Sequence, residues 1–256
     1  MSDPVQRHGI PLRAFAPNAI TALALCSGLT GVRFGITGDW PQALACIVGA
    51  GVLDGFDGRI ARLLRAQSKF GAELDSLSDN IAFGTAPALI VFLWSLKDAP
   101  HFGWIAALAL AVCCALRLAR FNAGIDLNDQ PHKSAGFNTG VPAPVGAGLT
   151  FVPIYLWLIS GSDTFRNWQI VLPWTLFIAL LMISSVPTYT WSSIRIRRGW
   201  RLLALAGVAL MGAALLNEPW WTLLAISALY LALLPFSVAS YSRVRQRRAG
   251  QAAAAS

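Results

Sequence analysis

The chain has 256 residues, of which 55% are hydrophobic and only 12% charged, with a formal net charge of +8. Ordinary soluble domains carry about 25% charged residues, so the composition, with a mean hydropathy of +0.56, excludes that class and points to a membrane protein. The basic residues sit between long apolar runs, which assigns them to membrane topology and lipid phosphate rather than to nucleic acid.

Residues 1–16 are mixed and polar and are expected to form a cytoplasmic N-terminal segment. The apolar run that follows has no small-residue cleavage site after it, so it reads as a retained span rather than a signal peptide. About 20 apolar residues are needed to cross a bilayer. Eight spans are predicted, near 17–35, 41–62, 71–96, 103–121, 144–161, 170–190, 201–216 and 219–240, the seventh being short. Most connections are brief, so neighbouring spans are expected to pack antiparallel. With both termini cytoplasmic, only Arg33, Lys97 and Arg166 of the 20 Lys and Arg fall on the outer side. That asymmetry supports an even span count in a cell membrane. Residues 17–240 are thus expected to form one transmembrane domain, and 241–256 a basic, disordered cytoplasmic tail. Cys26, Cys46, Cys113 and Cys114 lie in apolar stretches without metal-type spacing and read as small buried hydrophobes.

The chemistry is concentrated between Leu53 and Asn80. Asp54, Asp57, Asp75 and Asp79 stand there beside strongly apolar sequence. An ionisable group at membrane depth costs about 2.5–3.5 kcal/mol on the insertion scale, and neighbouring carboxylates also repel one another. A divalent cation compensates both costs. At about 100° per residue, Asp54, Asp57, Gly58, Ala61 and Arg62 share one face of a helix. Gly71, Asp75 and Asp79 share a face of the next helix, across a tight basic turn. Gly58 and Ala61 leave room for a nucleotide to approach. Gly71 does the same or permits close helix packing, and Arg62 can neutralise phosphate oxygens. Carboxylate ligands suit Mg²⁺ or Mn²⁺, and two such ions suit phosphoryl transfer from a diphosphate.

These residues form the pattern D-x2-D-G-x2-A-R-x8-G-x3-D-x3-D without departure, which resembles the signature of the CDP-alcohol phosphotransferases. The resemblance covers about residues 15–240 and implies an all-α bundle with a six-helix core, usually a homodimer. It further implies that Asp54, Asp57, Asp75 and Asp79 bind two divalent cations, that Asp79 is also the catalytic base, and that Gly58, Ala61 and Arg62 line the CDP site. Pro17, Asn18, Thr21 and Gly28 resemble the family's first span, from which Ala24 departs. The text from Gln67 to Asp79, Arg117 to Asn122 and Gly140 to Pro144 is similar to the branch whose acceptor is L-serine. The expected reaction is therefore attack of the serine hydroxyl on the lipid-side phosphorus of CDP-diacylglycerol, drawn from the surrounding membrane lipid, with release of CMP.

The acceptor carboxylate calls for an arginine. Arg117 and Arg120 are i, i+3 neighbours at the end of the fourth span, and Asn122 suits either polar end of an amino acid. Residues 123–143 read equally as a lid or a linker, with Lys133 as a weak contact for phosphate. Three other readings stand beside this one: a sister enzyme using glycerol phosphate, inositol phosphate or another alcohol; a divalent-cation transporter; and a purely structural membrane protein. No Ser, Cys or His is arranged as an activated nucleophile, so direct attack is expected.

Overall fold

The computed structural model describes residues 12–64, 66–124, 137–184, 187–189, 199 and 201–254. Its contacts divide the chain into two compact units, 1–90 and 91–256.

The first unit is built on α1 (Leu12–Thr37). Pro17, Thr21, Ala24, Gly28, Gly31 and Gly35 recur every three or four residues and are buried, so one face of α1 is a stripe of small side chains. Small residues let helix backbones approach closely where no hydrophobic effect drives association. α2 (Trp40–Leu63) starts with Pro41 in its first turn and buries Trp40, Ala43, Leu44, Ile47, Ala50 and Asp57. α1 packs against α2 along much of its length. A Cβ on Gly31 would lie 2.9 Å from the Ala43 carbonyl oxygen.

α3 (Lys69–Asp79) begins at Ser68, whose hydroxyl accepts the Gly71 amide hydrogen at 3.0 Å. This satisfies one of the orphan donors of the first turn. The helix runs directly into a π-helical stretch, Asn80–Thr85, and then into α4 (Ala86–Trp94). α3 and the π stretch also pack on α1. At Gly28 the approach is closest: a Cβ there would lie 2.8 Å from the Ala82 Cα and 2.9 Å from its Cβ. Backbone cannot yield as a flexible side chain can. Gly28→Ala is therefore expected to cost about 1–3 kcal/mol, the range for overpacking. It should appear as a lowered melting temperature of the solubilised protein.

The second unit holds α5 (Phe102–Ala123), α6 (Ala143–Thr150), α7 (Val152–Ser160), α8 (Trp168–Ile183), α9 (Arg201–Asn217) and α10 (Pro219–Ala254). α5 buries Ala106, Ala107, Leu110, Cys114 and Leu118, and α8 buries Val171, Thr175, Ile178, Ala179 and Met182. These faces have helical spacing, and the two helices pack together. α6 and α7 form one interrupted span. Pro153 in the first turn of α7 has no amide hydrogen to donate backwards. The Arg166 Nε–H donates to the Trp94 carbonyl at 3.0 Å, and its guanidinium lies 5.9 Å from the Trp157 ring centre. A short antiparallel ladder joins Phe137–Thr139 to Pro187–Tyr189.

Five helical segments are long and apolar enough to cross a membrane, at 15–37, 69–94, 102–123, 143–160 and 219–236. Trp168–Ile183 and Leu202–Asn217 are shorter apolar helices, and α2 is interrupted by its own charges. Each of the eight expected spans thus coincides with a helical segment, and the protein is a multi-pass membrane protein. Large apolar side chains are exposed all along α9, including Leu202, Leu205, Val208 and Leu216. A helix apolar all round belongs in lipid.

Several expectations are corrected. The sixth expected span, α8, ends at Ile183 rather than near 190, capped by Ser184. α10 carries helical backbone to Ala254, across the segment expected as a disordered tail. Ala, Arg and Gln are strong helix formers. Of the cysteines only Cys114 is buried; Cys46 and Cys113 are half-buried and Cys26 is exposed. A lipid-facing position is as apolar as a buried one, so the sequence pattern does not separate them.

Candidate metal centre

The second half of α2 carries Asp54 and Asp57, and α3 carries Asp75 and Asp79. Carboxylate oxygens of Asp54, Asp57 and Asp75 all lie within 4.8 Å of one another. Asp57 is buried and the other two are half-buried. Asp79 joins the group through a side-chain hydrogen bond with Asp54. Two carboxylates at that range need a shared proton or a cation between them. The four acids expected from the sequence are thus brought together from two helices.

The support for these acids comes from α1. The Thr21 hydroxyl lies 2.7 Å from Asp57 Oδ2 and 3.1 Å from the Pro17 carbonyl oxygen. The shorter contact, to a charged acceptor, is the stronger. The Ser78 hydroxyl in turn donates to the Thr21 carbonyl at 3.1 Å. Thr21, Asp57 and Ser78 are all buried. In the sequence Thr21 and Ser78 stand out only as parts of a resemblance, with no role attached. The available signal was a hydroxyl residue on the small-residue face of α1.

Gly58 opens onto space: a Cβ there would meet nothing within 4 Å. Ala61 is half-buried on the same face. The Arg62 Nε–H donates to the Gly58 carbonyl at 3.1 Å, which lays the guanidinium along that face. Gly71 is different. A Cβ there would lie 3.0 Å from Asn18 Oδ1 and 3.2 Å from the Ser68 hydroxyl, so of its two expected roles close packing is the one with a visible cause.

Arg117, Arg120 and Asn122 belong to the second unit, on the last two turns of α5. Arg117 and Asn122 are half-buried, and both make polar or electrostatic contacts. Arg120 Nη2 donates to the Ser184 carbonyl at 3.0 Å, tying α5 to the end of α8. Gly140 has φ +77°, and a Cβ there would lie 2.7 Å from the Met182 carbonyl oxygen, 2.9 Å from that of Ser184 and 3.4 Å from Arg120 Nη2. Only glycine fits that corner. Lys133 and most of the expected lid, 125–136, lie outside the described residues.

The donor set fits a hard divalent cation: oxygen ligands only, all anionic, converging from two helices beside an open strip of helix surface. Fold and site together define a polytopic membrane protein with a carboxylate cluster able to hold a metal ion. A family model described as CDP-alcohol phosphatidyltransferase matches residues 14–191, and one described as CDP-alcohol phosphatidyltransferase 2 matches residues 199–235. The chain belongs to the CDP-alcohol phosphatidyltransferase family. It is 35% identical over 237 residues to a CDP-diacylglycerol–serine O-phosphatidyltransferase of Mycobacterium leprae, covering 93% of this chain and 78% of the relative. The protein of the same description from Mycobacterium tuberculosis is 35% identical over 240 residues, 94% of this chain and 83% of the relative. One from Helicobacter pylori is 32% identical over 180 residues, 69% of this chain and 72% of the relative.

Proposed function

We propose that this protein transfers the phosphatidyl group of CDP-diacylglycerol to the hydroxyl of L-serine, giving phosphatidylserine and CMP. The observation that carries the reading is the convergence of carboxylates from α2 and α3 within 4.8 Å, in a chain similar along most of its length to serine O-phosphatidyltransferases.

Asp54, Asp57, Asp75 and Asp79 would hold two divalent cations, Mg²⁺ or Mn²⁺. When bound, such cations supply charge neutralisation for a diphosphate and its leaving group. Gly58, Ala61 and Arg62 receive the CDP and phosphate end of the lipid. Gly58 contributes the absence of a side chain, and Arg62 contributes positive charge. Gly71, assigned to the same end, keeps α3 close to α1. Arg117, Arg120 and Asn122 bind the acceptor serine, with arginine matched to its carboxylate. Asp79 takes the proton from the serine hydroxyl. The new bond forms between the serine oxygen and the lipid-side phosphorus. The anhydride P–O bond breaks, and its electron pair leaves with CMP. No covalent enzyme intermediate is needed.

Both termini lie on the cytoplasmic side of the cell membrane, residues 17–240 form the catalytic domain, and the working unit is a homodimer. Acceptor identity is tested with purified protein, CDP-diacylglycerol and Mn²⁺, measuring CMP release with serine, glycerol phosphate or inositol phosphate. Serine is expected to raise release above the no-acceptor background and the phosphorylated alcohols are not. Release supported by a phosphorylated alcohol and not by serine would reassign the acceptor within the same family.

A further inference from the structure

We infer that Thr21 is a positioning residue for the metal centre: through its hydroxyl bond to Asp57, and its carbonyl bond from Ser78, α1 sets the separation of the two acid-bearing helices. The inference rests on the proposed metal-dependent transfer, but concerns residues to which that reading gives no part.

Three observations support it. First, the contacts form a continuous chain across three helices: Ser78 of α3 to the Thr21 carbonyl at 3.1 Å, and the Thr21 hydroxyl of α1 to Asp57 of α2 at 2.7 Å. Second, all three residues are buried, so water does not compete for these bonds. Third, other threonines of the spans turn their hydroxyls onto their own helix, as Thr30 does to the Cys26 carbonyl at 2.7 Å and Thr175 to that of Val171 at 2.8 Å. Thr21 instead makes its shorter contact to a carboxylate 36 residues away.

The chemistry follows from the inventory of a carboxylate. Ionised Asp57 has about four lone-pair sites. The Thr21 hydroxyl reaches it from another helix and the Gly58 amide from its own, which orients the side chain and leaves the remaining sites for a cation. Without the Thr21 bond only the amide of the next residue holds the side chain, and the like charges of Asp54 and Asp75 push it away from the arrangement a cation needs. Groups that orient metal ligands in this way typically carry about 10–100-fold in metal affinity or activity.

The test uses full-length protein in detergent micelles. Mn²⁺ binding is read directly from the electron paramagnetic resonance signal of the free ion, alongside CMP release as a function of Mn²⁺ concentration. Thr21→Val and Thr21→Ala both remove the hydroxyl but fill the space differently, and Thr21→Ser keeps it. Metal-free melting temperatures show which variants are folded. The expected result is that Thr21→Val and Thr21→Ala weaken Mn²⁺ binding by about 10–100-fold and regain much of the rate at high Mn²⁺. Thr21→Ser should bind like the wild type. The inference is overturned if the two hydroxyl-free variants bind Mn²⁺ like the wild type, or if Thr21→Ser is weakened as much as they are. A wild-type protein that binds Mn²⁺ but releases no CMP would instead sink the transferase reading, and leave the positioning result to be read from binding.

Discussion

Asp79→Asn is expected to slow CMP release by at least about 100-fold, the lower end of what a general base contributes. Asparagine keeps the size of the side chain and can still hydrogen bond to Asp54. It cannot take a proton from a hydroxyl, and it removes one negative charge from the group. Asp79 sits at the junction of α3 with the π-helical stretch and in hydrogen-bond contact with Asp54, so the change is confined to a well-packed place. The comparison is made at saturating CDP-diacylglycerol, serine and Mn²⁺, so that a weakened binding step is not mistaken for lost chemistry. A variant that keeps more than about a tenth of the rate would rule out Asp79 as the base.

Removing divalent cations has the next largest expected effect. Three carboxylates within 4.8 Å repel one another, and a diphosphate brought to them adds more negative charge. With chelator present, CMP release is expected to fall below about one-thousandth, since metal ions supply several kcal/mol to such a transition state and each 1.36 kcal/mol is tenfold in rate. Mg²⁺ or Mn²⁺ should restore it, and Na⁺ at equal ionic strength should not. The melting temperature should rise with added Mn²⁺, because a ligand that binds only the folded state stabilises it by mass action. Undiminished release in excess chelator would refute a metal-dependent reaction.

The helices were legible because lipid imposes a simple rule: a spanning segment must be apolar and long. Each expected span therefore corresponds to a helix, although their ends were not fixed by that rule. Ile183 ends the sixth expected span early, and α10 runs past the last apolar residue. The acids were legible because charge in such sequence is costly, and only a helical period places Asp54, Asp57, Asp75 and Asp79 where two faces meet.

What was hidden depends on neighbours rather than on period. A threonine in an apolar span reads the same whether it bonds back to its own helix, as Thr30 does, or across to Asp57, as Thr21 does. The π-helical stretch at Asn80–Thr85 has no distinguishing composition; its wider turn is visible only beside the close approach of Gly28 to Ala82. Arg120 reads as a free cation for substrate, yet one of its donors is spent on the Ser184 carbonyl. Gly71 reads as space for a nucleotide, whereas Asn18 stands against it.

The placement of polar residues along α2 and the 69–94 segment bears on how a charged site coexists with a bilayer. Acids occupy one end of each, at 54–57 and 75–79, while the opposite ends, Ala43–Leu53 and Ala86–Trp94, contain no ionisable side chain except the thiol of Cys46. Along these two helices the charged stretch is one-sided, ending where the apolar half begins. An ion moving along either helix would meet no carboxylate or cationic side chain in that apolar half, where charge is costly. Multiply charged reactants can thus be handled at one end of these helices with no charged route along the other.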